Sequence, residues 1–398
     1  MPVLVYRRVI HRPYVLRLLL GSFVGRIPVA MAAIAIPLAL RDAGADYAFI
    51  GSVAGAYALS SAIGSPLIGR VVDRIGQPRV LVPTGLLSAI GFLLIAVAPE
   101  QRWSVLLGAV VAGAAMPPLE PCLRVLWPDL VRREELESAY AMDSAAQELI
   151  FIVGPLAVTA SAALVAPIAA LWVQIALTLG GVAVFVAADP PRRWRPEHDA
   201  RRHWLGPLRH PGLAILLVAP AGVGYAIGTL NLLVIGYAER TPVPGGAPVL
   251  LALNATGALL GALAYGAFRW SMEPRRRILL LACGLAVSYS LLAIVPGLPL
   301  MVVLVVLTGV CLAPMLTVAF GLIGQLAPRG TTTEAFAWLV TLFTAGTSVG
   351  AAAVGPILDA GDLHLAGANA GLGAAGCLLL VVAGYRLMRV PAVDPAPS

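Results

Sequence analysis

Long apolar runs, each close to twenty residues or more, follow one another along the whole chain and are separated by short clusters of Arg, Asp, Glu, Pro and Gly. None alternates residue by residue as a half-buried strand would. A helix of about 20 residues, rising 1.5 Å per residue, spans a hydrocarbon layer of ~30 Å. The pattern predicts twelve such helices, at 16–40, 47–69, 79–98, 103–127, 136–165, 167–188, 212–238, 247–269, 276–296, 299–326, 332–358 and 365–388. Lipid offers backbone N–H and C=O groups no partners, so helices that satisfy their own backbone are the form that fits. The missing alternation argues against a β-barrel. The fold class is therefore all-α and polytopic.

The first run, Leu16 to Leu40, follows Arg7, Arg8, His11, Arg12 and Arg17, a basic start like that of a secretory leader. The run is too long for a leader, lacks a cleavage site of small residues at a sensible distance, and is followed by further spans, so it reads as a retained anchor. Composition agrees with the pattern. Of 398 residues 59% are hydrophobic and only 12% charged, against about 25% charged in soluble domains. Mean hydropathy is +0.89. The net charge of +7 belongs to loops at a membrane surface and implies no nucleic-acid partner. All 27 basic residues are Arg. Cys122, Cys283, Cys311 and Cys377 fall in apolar runs without CxxC spacing, so neither disulfides nor a metal site are expected. With no nucleotide-binding loop or nucleophile–base pattern, and with loops too short for a catalytic domain, the sequence predicts no enzyme and no cofactor.

Loop charge orients the chain. With the N-terminus inside, 23 of the Arg residues fall on cytoplasmic segments, Arg41, Arg102 and Arg240 fall outside, and Arg26 lies within the first span. This asymmetry predicts both termini in the cytoplasm. The longest polar stretch, Asp189 to His210, is Arg- and Pro-rich and mid-chain. It divides the chain into a six-helix bundle at 1–188, a linker at 189–211 and a second bundle at 212–398. The halves also repeat: Pro118, Leu126, Arg133 and Gly154 fall, at an offset of 196, on Pro314, Leu322, Arg329 and Gly350. Such parallel repeats place a cavity between the halves near mid-membrane.

Charged groups in hydrocarbon cost roughly 2.5–3.5 kcal/mol on insertion scales, so an embedded one has a partner or a task. Arg26 lies roughly 18 Å along the first helix and Glu148 roughly 20 Å along the fifth, both from the cytoplasmic side. Their matching depth predicts a separable ion pair across the cavity, with Glu148 as proton carrier and Arg26 holding its carboxylate. A permanent structural pair is the alternative. Nearer the cytoplasm, Glu120 and Arg124 share a helix face at i, i+4, with Asp143 at similar depth. This cluster reads as a gate, a second protonation site or a structural brace. Pro117, Pro118 and Pro121 beside it predict a bend. The second half offers Tyr225, Thr229, Asn231, Asn254, Trp338, Thr341 and Thr344 as candidate substrate-cavity residues, with Phe343 and Ser348 nearby; small polar residues also bind membrane helices to one another.

One short stretch carries a family pattern. Gly69, Asp73, Arg74, Gly76 and Arg79 form a charged turn between the second and third runs. They resemble the Gly-x-x-x-Asp-Arg-x-Gly-Arg/Lys-Arg/Lys signature of the major facilitator superfamily, with Gln77 and Pro78 departing from it. Gly154-Pro155 resembles part of that family's antiporter-associated motif, whose other glycines are here Ile150, Val158 and Thr159. The resemblance implies two pseudo-symmetric six-helix bundles. It also implies a monomeric, bilayer-embedded secondary transporter in a bacterial cytoplasmic membrane, working by alternating access on a small organic molecule. Proton-coupled export is the leading expectation, with protons the coupling ion. Uptake or facilitated diffusion of a nutrient or organic anion, with Arg26 binding its carboxylate, is the first alternative; a non-transporting sensor or assembly protein is the second. The resemblance further implies that Asp73 engages the start of the eleventh helix. That helix is expected to open with Thr331-Thr332-Thr333-Glu334, a capping-box pattern, with Arg74 or Arg79 neutralising Glu334. In the second half Trp270 stands at the Asp position, and Arg275, Arg276 and Arg277 are expected to face Glu134, Glu135 and Glu137.

Overall fold

The computed structural model describes residues 2–195, 206–268, 270–328 and 330–388. The central part of the linker, with Arg201 and Arg202, lies outside the described residues, as do Arg269, Arg329 and Arg389. A short helix α1 (Pro2–Ile10) precedes the first span, α2 (Val15–Asp42). There follow α3 (Tyr47–Ile75), α4 (Gln77–Val97), α5 (Arg102–Ala114), α6 (Leu119–Leu130), α7 (Leu136–Leu164), α8 (Ala169–Val186) and the short α9 (Asp189–Arg193). The second half comprises α10 (Pro211–Arg240), α11 (Ala247–Ala267), α12 (Pro274–Leu291), α13 (Leu298–Val310), α14 (Leu312–Leu326), α15 (Thr332–Asp359) and α16 (Leu363–Gly384). Among the described residues twelve spans are long and apolar enough to cross a membrane, and they pack as two six-helix bundles.

The fourth span breaks into α5 and α6 at Ala115–Pro118, where Pro117 and Pro118 supply no N–H to the helical ladder. The tenth span breaks into α13 and α14 at Cys311, just before Pro314. Pro118 and Pro314 are the pair matched by the internal repeat, so the two bundles interrupt equivalent spans.

An even number of spans brings Val15 and Gly384 to one face of the bundle, here called the terminal face. The contacts between the bundles that follow lie between this face and mid-depth. At the terminal face α3 packs on α15, and α7 packs on α11 and α14. Spans α2 and α10 share no packed interface among the described residues. Close approach depends on small residues where lipid supplies no hydrophobic drive. A Cβ on Gly154 would sit 2.7 Å from the Cβ of Ala30, so the Gly-Pro element lets α7 lie against α2.

One expectation changes here. The stretch Gly69 to Arg79 is not a loop: α3 continues to Ile75 and α4 begins at Gln77, so Gly76 alone makes the turn. Its φ of 94° and ψ of 160° belong to a region that only glycine occupies without strain. Pro78 follows within the first turn of α4, where a missing N–H costs nothing. Gln77 is fully buried and donates from Nε2 to the carbonyl of Cys122 at 3.0 Å, a reason for an amide where the family pattern has a base.

Candidate functional site

Four charged side chains meet between the first, fourth and fifth spans. Arg26 Nη1 lies 2.7 Å from Asp143 Oδ1, and its Nη2 lies 3.2 Å from Glu120 Oε2. Arg124 Nε donates to Asp143 Oδ2 at 2.7 Å, and Arg124 also pairs with Glu120 one turn before it. Gln147 accepts a further bond from Arg26. Asp143 is wholly buried and Arg124 nearly so. Two cations and two carboxylates make a neutral group, the condition under which such charges are tolerated away from water. Arg124 also reaches the other bundle: its guanidinium carbon lies 3.5 Å from the ring centre of Phe320 on α14 and 5.9 Å from that of Phe336 on α15.

The expected pair between Arg26 and Glu148 does not form. Side chains on a helix lean toward its N-terminus, so the long Arg26 side chain descends toward the terminal face and meets Asp143. Glu148, five residues beyond Asp143 on α7, points about 140° away around the helix at 100° per residue. Gln147, at i+4 from Asp143, shares its face instead. The two clusters read separately from the sequence are thus one group with Arg26 at its centre, and Glu148 stands apart. Glu148 is 8% exposed and makes no hydrogen bond or ion pair among the described residues.

At the terminal face the two bundles are joined by α3 and α15. Asp73 is buried and accepts from the backbone N–H groups of Thr333 at 3.2 Å and Glu334 at 2.9 Å. A carboxylate thus meets the unpaired N–H groups of a helix start, as the family resemblance implies. Gly69, one turn earlier, permits the approach: a Cβ there would lie 3.1 Å from both Ala337 Cβ and Glu334 Cα. The local capping box does not form. Thr331 supplies no side-chain cap to α15, its hydroxyl donating to Pro328 O instead, and Asp73 takes over the cap from another helix. Nor do Arg74 and Arg79 reach Glu334; both are exposed. Arg70 does, with Nη2 at 2.5 Å and Nε at 3.1 Å, because α3 continues and sets residues 70 and 73 on the same face. Sequence reasoning missed Arg70 by ending the span at 69; helical periodicity carried six residues further would have found it.

Across the pseudo-symmetry, Arg277 forms a two-pronged bond with Glu137 at 2.6 and 2.7 Å. Arg275 turns to Glu273, and Glu135 pairs with Arg12, while Arg277 and Glu137 make the expected contact. Ser138 Oγ donates to Gly266 O at 2.6 Å, and Ser144 and Thr317 share a hydroxyl bond at 3.1 Å, both across the seam.

The polar residues of the second half divide. Tyr225 donates to Asn369 Oδ1 at 2.8 Å, and Thr229 accepts from Asn369 Nδ2 at 3.2 Å, which ties α10 to α16. Asn254 donates to Val305 O and Thr308 Oγ1, fastening α11 to α13. Trp338 donates to Glu334 at 3.4 Å, and Thr341 approaches Ala62 O at 3.5 Å. Thr344 is exposed, its hydroxyl turned to Val340 O, and Asn231 is half-buried. Tyr225, Thr229 and Asn254 thus bind helices within a bundle, while Trp338 and Thr341 lie at the α3–α15 seam.

Two bundles of six broken and unbroken spans meet along a polar seam at one face. The chain belongs to the Major Facilitator Superfamily, whose sequence model matches residues 18–240. It is 26% identical over 334 residues, 78% of this chain and 81% of the other, to the multidrug efflux pump Tap of Mycolicibacterium fortuitum. Its fold is similar to that of a bacterial homologue of the iron transporter ferroportin in an outward-facing state, with a TM-score of 0.76 at 13% identity over 93% of this chain and 98% of that one. It is likewise similar to the E. coli fucose:proton symporter FucP, with a TM-score of 0.72 at 15% identity over 94% and 99%. The chain is a multi-pass membrane transporter of this family, whose members are not enzymes.

Proposed function

We propose that this chain exports a small organic molecule in exchange for protons, from a bacterial cytoplasm, with both termini inside. Glu148 carries the reading: a buried carboxylate without cation or hydrogen bond among the described residues, on the span where the bundles meet. A carboxylic acid can pass between charged and neutral forms, and an embedded one that braces nothing has a functional role as its default reading. Similarity to an efflux pump supports the direction. With the terminal face cytoplasmic, as the distribution of Arg favours, contacts across the seam at that face support an outward-facing reading. The bodies 1–188 and 212–398 then rock about the seam, Asp73 with Arg70 and Glu137 with Arg277 acting as two unlike latches. The group of Arg26, Glu120, Arg124 and Asp143 serves as the brace of the first bundle and, through Arg124 on Phe320 and Phe336, as part of the closed gate. Against uptake of an organic anion stands Arg26 itself, already committed to two carboxylates.

In everted vesicles loaded with a pH dye, an exported organic cation should release protons, and Glu148→Gln should abolish that release while leaving the protein folded. Undiminished proton release by the variant would remove Glu148 from the coupling.

A further inference from the structure

At the terminal face a cleft of about 680 Å³ opens between the bundles, within the size of ligand sites (about 300–1,000 Å³). One wall is α1 with the turn between the fourth and fifth spans, bearing Arg8, His11, Arg12, Arg132 and Arg133; the other is the end of α11 with Phe268 and Trp270. Both walls are held in place. Val9 is fully buried, and Tyr6 donates to Leu263 O at 2.6 Å, which ties α1 to the opposite bundle. Trp270 stacks on Tyr265 at 4.8 Å and donates to its carbonyl at 2.9 Å, and the Tyr265 hydroxyl receives Arg277 at 2.6 Å.

The charges do not cancel. Glu135 is satisfied by Arg12 and Glu137 by Arg277. Arg8, Arg132 and Arg133 are exposed and make no ion pair among the described residues; against them the lining sets one further acid, Glu134. Guanidinium groups clustered on one wall, at the level where spans end, suit a phosphate-bearing anion.

We propose that this cleft binds a phosphate-bearing anion, as a phospholipid headgroup or as free phosphate, on the guanidinium wall formed by Arg8, Arg132 and Arg133. Neither the direction of transport nor Glu148 enters the argument.

The test uses the full chain in phosphatidylcholine nanodiscs with or without phosphatidylglycerol, and with inorganic phosphate added to the lipid-only discs at matched ionic strength. Retained lipid is read by native mass spectrometry and phosphate by thermal shift. The variant Arg8→Gln/Arg132→Gln/Arg133→Gln should bind roughly a hundredfold more weakly, at about fivefold per Arg near an anionic surface. Arg192→Gln/Arg193→Gln, which removes exposed charge elsewhere on the same face, should bind as the wild type does. Melting in pure phosphatidylcholine confirms that both variants fold. Lipid retention lost only in the triple variant identifies a headgroup site; a phosphate shift lost only there, without lipid retention, identifies a free-phosphate site. Equal binding by wild type and triple variant, equal loss per charge in the control, or no binding of either probe overturns the proposal.

Discussion

Replacing Asp73 by Ala tests whether the α3–α15 contact sets the balance between conformations. In the closed seam the side chain caps α15 from a neighbouring helix, through two N–H bonds of 3.2 and 2.9 Å at a buried position. Loss of an N-cap costs about 0.5–2 kcal/mol, and a buried N–H left without a partner costs about 1–3 kcal/mol. When the terminal face opens, water reaches those N–H groups, so the loss falls mainly on the closed state. A differential of about 1–2 kcal/mol multiplies the open population roughly 5- to 30-fold. Ser144→Cys in a background lacking the four native cysteines is a suitable reporter, since Ser144 is buried at the seam and bonded to Thr317 at 3.1 Å. Its maleimide labelling rate, in the regime where opening is fast, follows the open population. Asp73→Ala should raise that rate by the same factor. Asp73→Asn keeps an acceptor but loses the charge, worth about 0.3–1 kcal/mol at a helix start, and should raise it only about two- to fivefold. A labelling rate unchanged by Asp73→Ala, with helicity intact by circular dichroism, would refute the reasoning.

Three further expectations concern stability. Arg26→Met leaves Asp143 and Glu120 with one cation between them and should lower unfolding free energy by about 3–5 kcal/mol in detergent titrations, with Arg26→Lys recovering part of it. Gly154→Ala places a methyl against Ala30 and should cost about 1–3 kcal/mol by overpacking, read as a lower melting temperature. Asp46 lies at the face opposite the termini and caps α3; the N–H of Phe49 first, and Arg102 next, hold its carboxyl below the usual range. A depressed value means that its contribution is present above the unfolded carboxylate pKa near 4 and lost as pH falls through the folded one. The melting-temperature gap between wild type and Asp46→Asn should therefore close as pH drops from about 7 to about 3. A constant gap would show that charge at Asp46 does not matter.

Much of this protein was legible along the chain. Apolar runs predicted twelve spans, because a bilayer demands self-satisfied helices of set length and helix periodicity assigns residues to faces. Gly76 and Asp73 were legible for a similar reason: a backbone shape that only glycine adopts, and a carboxylate suited to a helix start. Depth along a helix is a linear quantity, so the sequence placed Arg26 and Glu148 at the same level. Which acid Arg26 would meet depended instead on the rotation of α2 and α7 about their axes and on the lean of a long side chain, and these are set only when helices pack. The same holds for Arg70 in place of Arg74 or Arg79, for Asp73 in place of Thr331 as the cap of α15, and for Tyr225, Thr229 and Asn254 as fasteners between helices. A sequence determines what each helix can offer on each face; only the tertiary structure decides which face is turned toward which neighbour.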